Sequence, residues 1–341
     1  MPDLRGQSRR NFLTHSITGA VALAAGVAQP SIAESSLAAK SRVVVARDTQ
    51  LHGTGSSIDP QRLQILLDRA ILALFVREHA PEIAPANIVA AWRRVVLPTD
   101  RVGLKVNTLG GRGISTNPEL VAAICERLQQ AGVKPANIIV WDRDTEELER
   151  VGFRIAIGGN CVQCYGTDRL DYEDYLASWG NVGSCLSKIL TRSCGVLINL
   201  PILKDHDGAG VTIALKNMYG VIHNPNKYHP NGCNPYVADV NMLPEIRSRM
   251  KIVICDATTA MYDGGPGFKP ELSWKYNGLL VSQDPVALDY TGWQIIEHKR
   301  REMGLKTLEA EQRAPLYIAT AADSDHRLGH CDPNCIAVVE A

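Results

Sequence analysis

The chain has 341 residues, with 36 basic side chains exactly offset by 36 acidic ones. That balance offers no basic face to nucleic acid or to an anionic membrane, and the length suits one large α/β domain or two modest ones.

In chain order, the first feature is a targeting pattern. "SRRNFL" (residues 8–13) carries a twin-arginine signature, followed by the mildly apolar "SITGAVALAAGVA" and the small residues "SIA" before Glu34. Residues 1–33 therefore read as a signal peptide, with the twin-arginine translocase as partner during export and a periplasmic or otherwise extracytoplasmic destination. The apolar run is too short and too rich in Gly, Ala and Thr to span a bilayer, and no later stretch reaches spanning length, so no stable membrane span is expected. Removing the segment takes away three arginines and one aspartate, leaving 33 basic against 35 acidic residues. Twin-arginine cargo crosses already folded, often around a cofactor, which points toward a cofactor here. Residues 34–41, "ESSLAAKS", read as a flexible lead, and 42–341 as a single domain with room for two α/β lobes.

Strand-like runs then alternate with helical ones. "RVVVA" (42–46) precedes a helix in which Leu63, Leu66, Leu67 and Ile71 recur at helical spacing. "RVGLKVN" (101–107) leads through "TLGGRGIST" to a helix opened by a Thr116/Glu119 capping box and stopped at Gly132. "NIIVWD" (137–142), "GVLINL" (195–200), "KIVICD" (251–256) and "GLLVS" (278–282) are further apolar strands. Continuous apolar strands between helices predict an α/β fold, a mostly parallel sheet with helices on both faces, with ligands gathered at the carboxyl ends of the strands. Lys105 and Asn107, Asp142, Lys204 and His206, Asp256, and "SQDP" (282–285) all follow such strands and are expected along one edge. The Pro-, Gly- and Asn-rich stretch 221–235 reads as a long ordered loop inserted in the domain.

The densest chemistry lies in "NLPILKDHDGAGVTIALKNMYG" (199–220). Val211, Ala214, Leu215 and Met218 follow helical spacing, which predicts a helix from Gly208 with Asp205 or Asp207 as its cap. Capping leaves Lys204, His206 and Lys216 unexplained, and these are the candidates for proton transfer or for binding an anionic group. His206, His223, His229 and Cys233 supply ligand types suited to a transition metal, although their spacing matches no standard site. Asp239 follows on the next helix.

Nine cysteines, all beyond residue 124, permit four disulfides with one left over. Cys125 and Cys255 sit within apolar patterns and read as core. Cys161 and Cys164 have redox-dithiol spacing but do not open a helix, and a local iron–sulfur run is absent, so an iron–sulfur cluster is disfavoured and disulfides are preferred. His326, His330, Cys331 and Cys335 pose the same choice between a metal and a bridge. "GGRG" (110–113) matches no phosphate-loop spacing, and "YDGGPG" (262–267) reads as a turn.

Taken together, "GLKVN", "STNPELVAAICERL", "GVKPANIIVWDR", "INLPILKDH", "GVTIALKNMYG" and "SQDPVALDYTG" resemble, in that order and over residues 42–341, the domain-of-unknown-function 362 family. The resemblance implies that Lys105, Asn107, Lys204, His206, Lys216, Asn217, Asp256, Asp284 and Asp289 belong to a shared site or scaffold, but it implies no activity. Some family members carry ferredoxin-type cysteine runs, which this chain lacks. A looser similarity, to the nickel-pincer lactate racemase group, rests only on lysines and histidines near strand ends.

The reading is an uncharacterised exported α/β protein that binds a transition metal or metallocofactor, with a catalytic or redox role. His206, Lys204 and Lys216 are its catalytic candidates. Lys105, Asn107, Asn217 and Asp256 are cofactor-binding candidates, and His206, His223, His229 and Cys233 are the metal set. One alternative is a non-catalytic binding protein for a metal or small anion. The other is a thiol–disulfide protein using Cys161 and Cys164.

Overall fold

The structure is a computed structural model that describes residues 40–53, 57–76 and 81–341; the predicted signal peptide and residues 34–39 of the predicted lead lie outside the described residues. Ser41, the last residue of that lead, already belongs to a strand. In chain order the strands are β1 (Ser41–Arg47), β2 (Val102–Lys105), β3 (Ile138–Trp141), β4 (Gln163–Cys164), β5 (Ala177–Trp179), β6 (Val182–Ser184), β7 (Val196–Asn199), β8 (Ile202–His206), β9 (Gly210–Thr212), β10 (Met250–Met261), β11 (Ser273–Trp274), β12 (Gly278–Ser282) and β13 (Ile336–Glu340). The α-helices are α1 (Pro60–Phe75), α2 (Ile88–Trp92), α3 (Pro118–Gln130), α4 (Thr145–Val151), α5 (Ala214–Asn217), α6 (Tyr236–Met242), α7 (Pro244–Arg247), α8 (Pro285–Glu302) and α9 (Tyr317–Ala322).

Among the described residues, eleven strands form one sheet whose main path runs β13-β1-β12-β10-β7-β2-β3-β4. Most of its pairings are parallel. Successive strand residues alternate between faces, and the interior follows that period. Ile252 and Ile254 of β10 enter the apolar cluster under α1 and α3, whereas Val253 and Cys255 enter the cluster under α5, α6, α8 and α9. Helices therefore cover both faces, as an α/β fold requires.

β12 runs antiparallel to both of its neighbours, β1 and β10. That reversal overturns one sequence expectation. "SQDP" leaves β12 at the amino-terminal edge of the parallel strands, opposite the ends of β2, β3 and β8. Asp284 there caps α8, accepting from the N–H groups of Val286 and Ala287.

Two local predictions are also corrected. The helix expected from Gly208 is instead a hairpin, β8 against antiparallel β9, followed by the one-turn α5. The α3 cap is Asn117, whose side chain accepts from Glu119 N; Thr116 is buried and donates its hydroxyl to Leu200 O instead. The stretch 221–235 is tighter than a bare loop, with 3-10 turns at Pro225–Tyr228 and Pro230–Cys233 that bury Tyr228 and Cys233.

Candidate active site

A cavity of about 400 Å³ opens where β2, β3 and β8 end, lined by Lys105, Asn107, Asp142, Lys204, His206, Lys216, Asn217 and His229 among others. β2 delivers Lys105 and, just past its end, Asn107; Asp142 follows β3 on the neighbouring strand. β8 carries Lys204 and His206 two residues apart, so the alternation of the strand puts both on one face. Lys216 and Asn217 come from α5, and His229 from the turns that follow it.

Lys105 is fully engaged. Its ammonium lies 2.7 Å from Asp142 Oδ1, donates to Val106 O and reaches Asn217 Oδ1 at 3.3 Å. Asp142 in turn accepts from the N–H and hydroxyl of Thr108 and from Arg143 N. With all three protons committed, Lys105 builds the cavity wall. Asn217 extends that wall, accepting from Asn107 Nδ2 and donating to Asn199 Oδ1, and Asn199 donates to Ala214 O. α5 is fixed from the other side by Asp289, whose two oxygens accept from Ala214 N and Leu215 N. The capping role predicted for Asp205 or Asp207 therefore falls to Asp289.

Lys204 and Lys216 differ from Lys105. Both are buried, yet among the described residues neither ammonium has a carboxylate within ion-pair distance. Lys204 Nζ donates to Pro266 O at 3.0 Å, and Lys216 Nζ lies 3.3 Å from His229 Nε2 and over the Tyr219 ring. Burial, reinforced by the charge of Lys216, pushes the Lys204 pKa down to about 8. Burial lowers Lys216 as well.

The two histidines are held neutral. Burial, then the charge of Lys216, drops His206 to about 2, and the same causes lower His229. His206 Nδ1 accepts from the backbone N–H groups of Gly208 and Ala209, so the ring proton sits on Nε2. Asp207 Oδ1 lies 3.1 Å from the same Nδ1 and shares the Gly208 N–H with it, so this contact is not an ion pair. That tautomer leaves His206 Nε2–H as a donor on the cavity side. His229 Nδ1 donates to Pro225 O, which leaves Nε2 to accept from Lys216.

The turn at 262–267 closes the cavity beside Lys204. Asp205, pointing away from the cavity residues on β8, accepts from Gly265 N and pairs with Arg313 at 3.5 Å; Arg313 also grips Asp263. Burial raises Asp205 to about 6. This frame sets the position of the Pro266 carbonyl against the amine. The glycine-rich stretch contributes too, because a Cβ on Gly110 would lie 3.0 Å from Lys204 Nζ and 2.5 Å from Ile114 O.

The remaining candidates lie elsewhere. Among the described residues no three His, Cys, Asp or Glu side chains group to hold a metal ion. His206 and His229 stack at 5.8 Å, but His223 bonds to Ser184 Oγ and Cys185 N, and Cys233 is buried off the cavity lining. Asp256 is also off the lining, bonded to Asn117 N and Thr258. Asp239 pairs with His326 at 2.9 Å, and His330 bonds to Asp284. All nine cysteines are free thiols. Cys161 is exposed, whereas burial pushes Cys164 up to about 12, so the pair lacks a thiolate on one side. Sequence reasoning did not single out Arg143, Glu147, Thr212, Asn226 or Pro266 as lining residues, whereas Asp142 was expected on this edge from its place at the end of an apolar strand.

The chain is 29% identical over 248 residues, 69% of its own length and 74% of the relative's, to the thylakoid-associated protein sll1697 of Synechocystis sp. (strain ATCC 27184 / PCC 6803 / Kazusa). The family model described as Domain of unknown function (DUF362) matches residues 102–294, a span that includes every lining residue named above, and the chain belongs to that family.

Proposed function

We propose that this protein is an enzyme that binds a small organic anion in the β2/β3/β8 cavity and exchanges a proton with it through Lys204. The observation that carries the reading is the pair of buried lysines, Lys204 and Lys216, facing one cavity with no carboxylate partner among the described residues. Burying two ammonium groups unpaired is costly, and an anion entering between them relieves that cost. A lysine brought down to about 8 is about one-tenth uncharged at neutral pH, which suits it to take up and return a proton. His206 Nε2–H supplies a neutral donor for a ligand oxygen, as does an oxyanion-hole donor.

Calorimetric titration with short-chain carboxylates, oxo acids and phosphate monoesters tests the binding, and deuterium uptake by the bound ligand in heavy water tests the proton exchange. Binding weakened about tenfold or more by Lys204→Met and by Lys216→Met, with exchange lost in the first, is the expected result. Binding indifferent to both substitutions sinks the reading, and binding without exchange reduces the protein to a non-catalytic receptor.

We also place the enzyme outside the cytoplasm, on the support of the twin-arginine pattern at Arg9 and Arg10. A reporter fused after residue 33 should be exported, and replacing both arginines with lysine should hold it in the cytoplasm. Export that survives the replacement removes that support.

A further inference from the structure

Building on the reading above, we infer that Lys204 is a nucleophile that forms a Schiff base with the carbonyl carbon of an α-oxo acid whose carboxylate rests at Lys216. Three geometric facts converge on Lys204. Among the described residues its Nζ has a single hydrogen-bond partner, the Pro266 carbonyl, whereas Lys105 spends all three protons and Lys216 is tied to His229 and covered by Tyr219. Gly110 leaves the space beside Nζ that a Cβ would crowd. The second cation in the same cavity is Lys216, and a neighbouring ammonium is one of the two usual devices that free a lysine for attack, burial being the other. Both devices act here, in the same direction.

The step balances without another reactant. The uncharged amine attacks the carbonyl carbon, forming the C–N bond as the C=O π pair moves to oxygen. That oxygen then leaves as water with the two amine protons, giving the imine; one further proton on nitrogen gives the iminium ion. His206 Nε2–H is the donor available to the carbonyl oxygen as charge builds on it, and His229 Nε2 is the acceptor beside Lys216. The ligand class follows from the parts: an anionic group for Lys216, and a carbonyl within reach of an amine.

Reductive trapping tests this directly. The whole chain is incubated at neutral pH with pyruvate, glyoxylate or α-ketoglutarate and sodium cyanoborohydride, then digested and mapped by mass spectrometry. The expected result is a reduced adduct on Lys204 with at least one of the three, absent in Lys204→Arg, which keeps the charge but not the nucleophile. In Lys216→Met the trapping rate at neutral pH should fall about tenfold and its pH profile should move upward by about one unit, as Lys204 regains a higher pKa. A merely structural lysine would not move the profile. An acid that binds in the calorimeter but leaves no adduct on Lys204, or labels Lys216 or surface lysines instead, overturns the inference and leaves the anion-binding reading standing. Failure of all three acids to bind, together with the other anions, overturns both.

Discussion

Lys105 Nζ and Asp142 Oδ1 stand 2.7 Å apart with both side chains buried, one delivered by β2 and the other by the end of the adjacent strand β3. Removing either partner strands a charge in the cavity wall, at a cost of about 3–5 kcal/mol. Asp142→Asn and Lys105→Met should each lower the thermal midpoint by several degrees, and the double replacement should lose less than the sum. Gly220→Ala should be similarly damaging, because the new methyl would lie 2.7 Å from Lys105 Nζ and 2.9 Å from Asp142 Oδ1. Additive losses in the double variant would show that the pair is not coupled.

Lys204 makes the opposite prediction. Its folded-state pKa, about 8, lies below the ordinary lysine value of 10.5, so between these limits the unfolded chain binds more protons than the folded one. Stability linked to this group therefore rises as pH climbs from 8 to 10.5, and below 8 the buried charge is a constant burden. Lys204→Met should be more stable than the parent at pH 7, by up to about 3 kcal/mol, while losing the anion response. The advantage should shrink toward pH 10. Denaturant midpoints measured for both proteins across that range check it, and a gap that is constant with pH contradicts the depressed value.

Asp289 serves two donors at once, with Oδ1 on Ala214 N and Oδ2 on Leu215 N. Asparagine can accept from only one of them and turns an amide toward the other. Asp289→Asn should therefore cost about 1–3 kcal/mol, and Asp289→Ala more, since both buried N–H groups lose their acceptor. Because α5 carries Lys216 and Asn217, the same variants should weaken anion binding out of proportion to their effect on global stability. Amide hydrogen exchange at Ala214 and Leu215 reads the local effect.

How much of this was legible in the sequence depends on range. Lys105 ends an apolar strand and Asp142 follows one, and parallel strands deliver their carboxyl ends to one edge, so their meeting follows from local pattern; Lys204 lies in the middle of β8, which reaches the same cavity by pairing with the far half of β10. Asp284 follows an equally good strand, but the direction of β12 is set by its pairing with β1 and β10, which no local pattern encodes. The opening at Gly208 failed for a different reason. Val211, Ala214, Leu215 and Met218 are all buried, but so are Thr212, Ile213, Lys216 and Asn217, so the helical period was selected from a segment buried on every side. Asp289, 75 residues from the N–H it caps, had no local signal.

His206 carries a prediction that separates its two proposed identities. Two backbone N–H groups, from Gly208 at 3.1 Å and Ala209 at 3.2 Å, converge on Nδ1, and a nitrogen that accepts cannot also hold the proton. Burial, followed by the positive charge of Lys216, takes its pKa down to about 2, and protonation at Nδ1 would also break both backbone contacts. Nitrogen NMR of ring-labelled protein should therefore show the Nε2–H tautomer unchanged from pH 8 down to pH 5, where an ordinary histidine has already titrated. Addition of a bound anion should shift Nε2 and leave Nδ1 in place, since the ligand meets the donor and the backbone keeps the acceptor. A resonance that titrates near 6.5 would return His206 to the role of a base and would mean that the lysines beside it are not both charged.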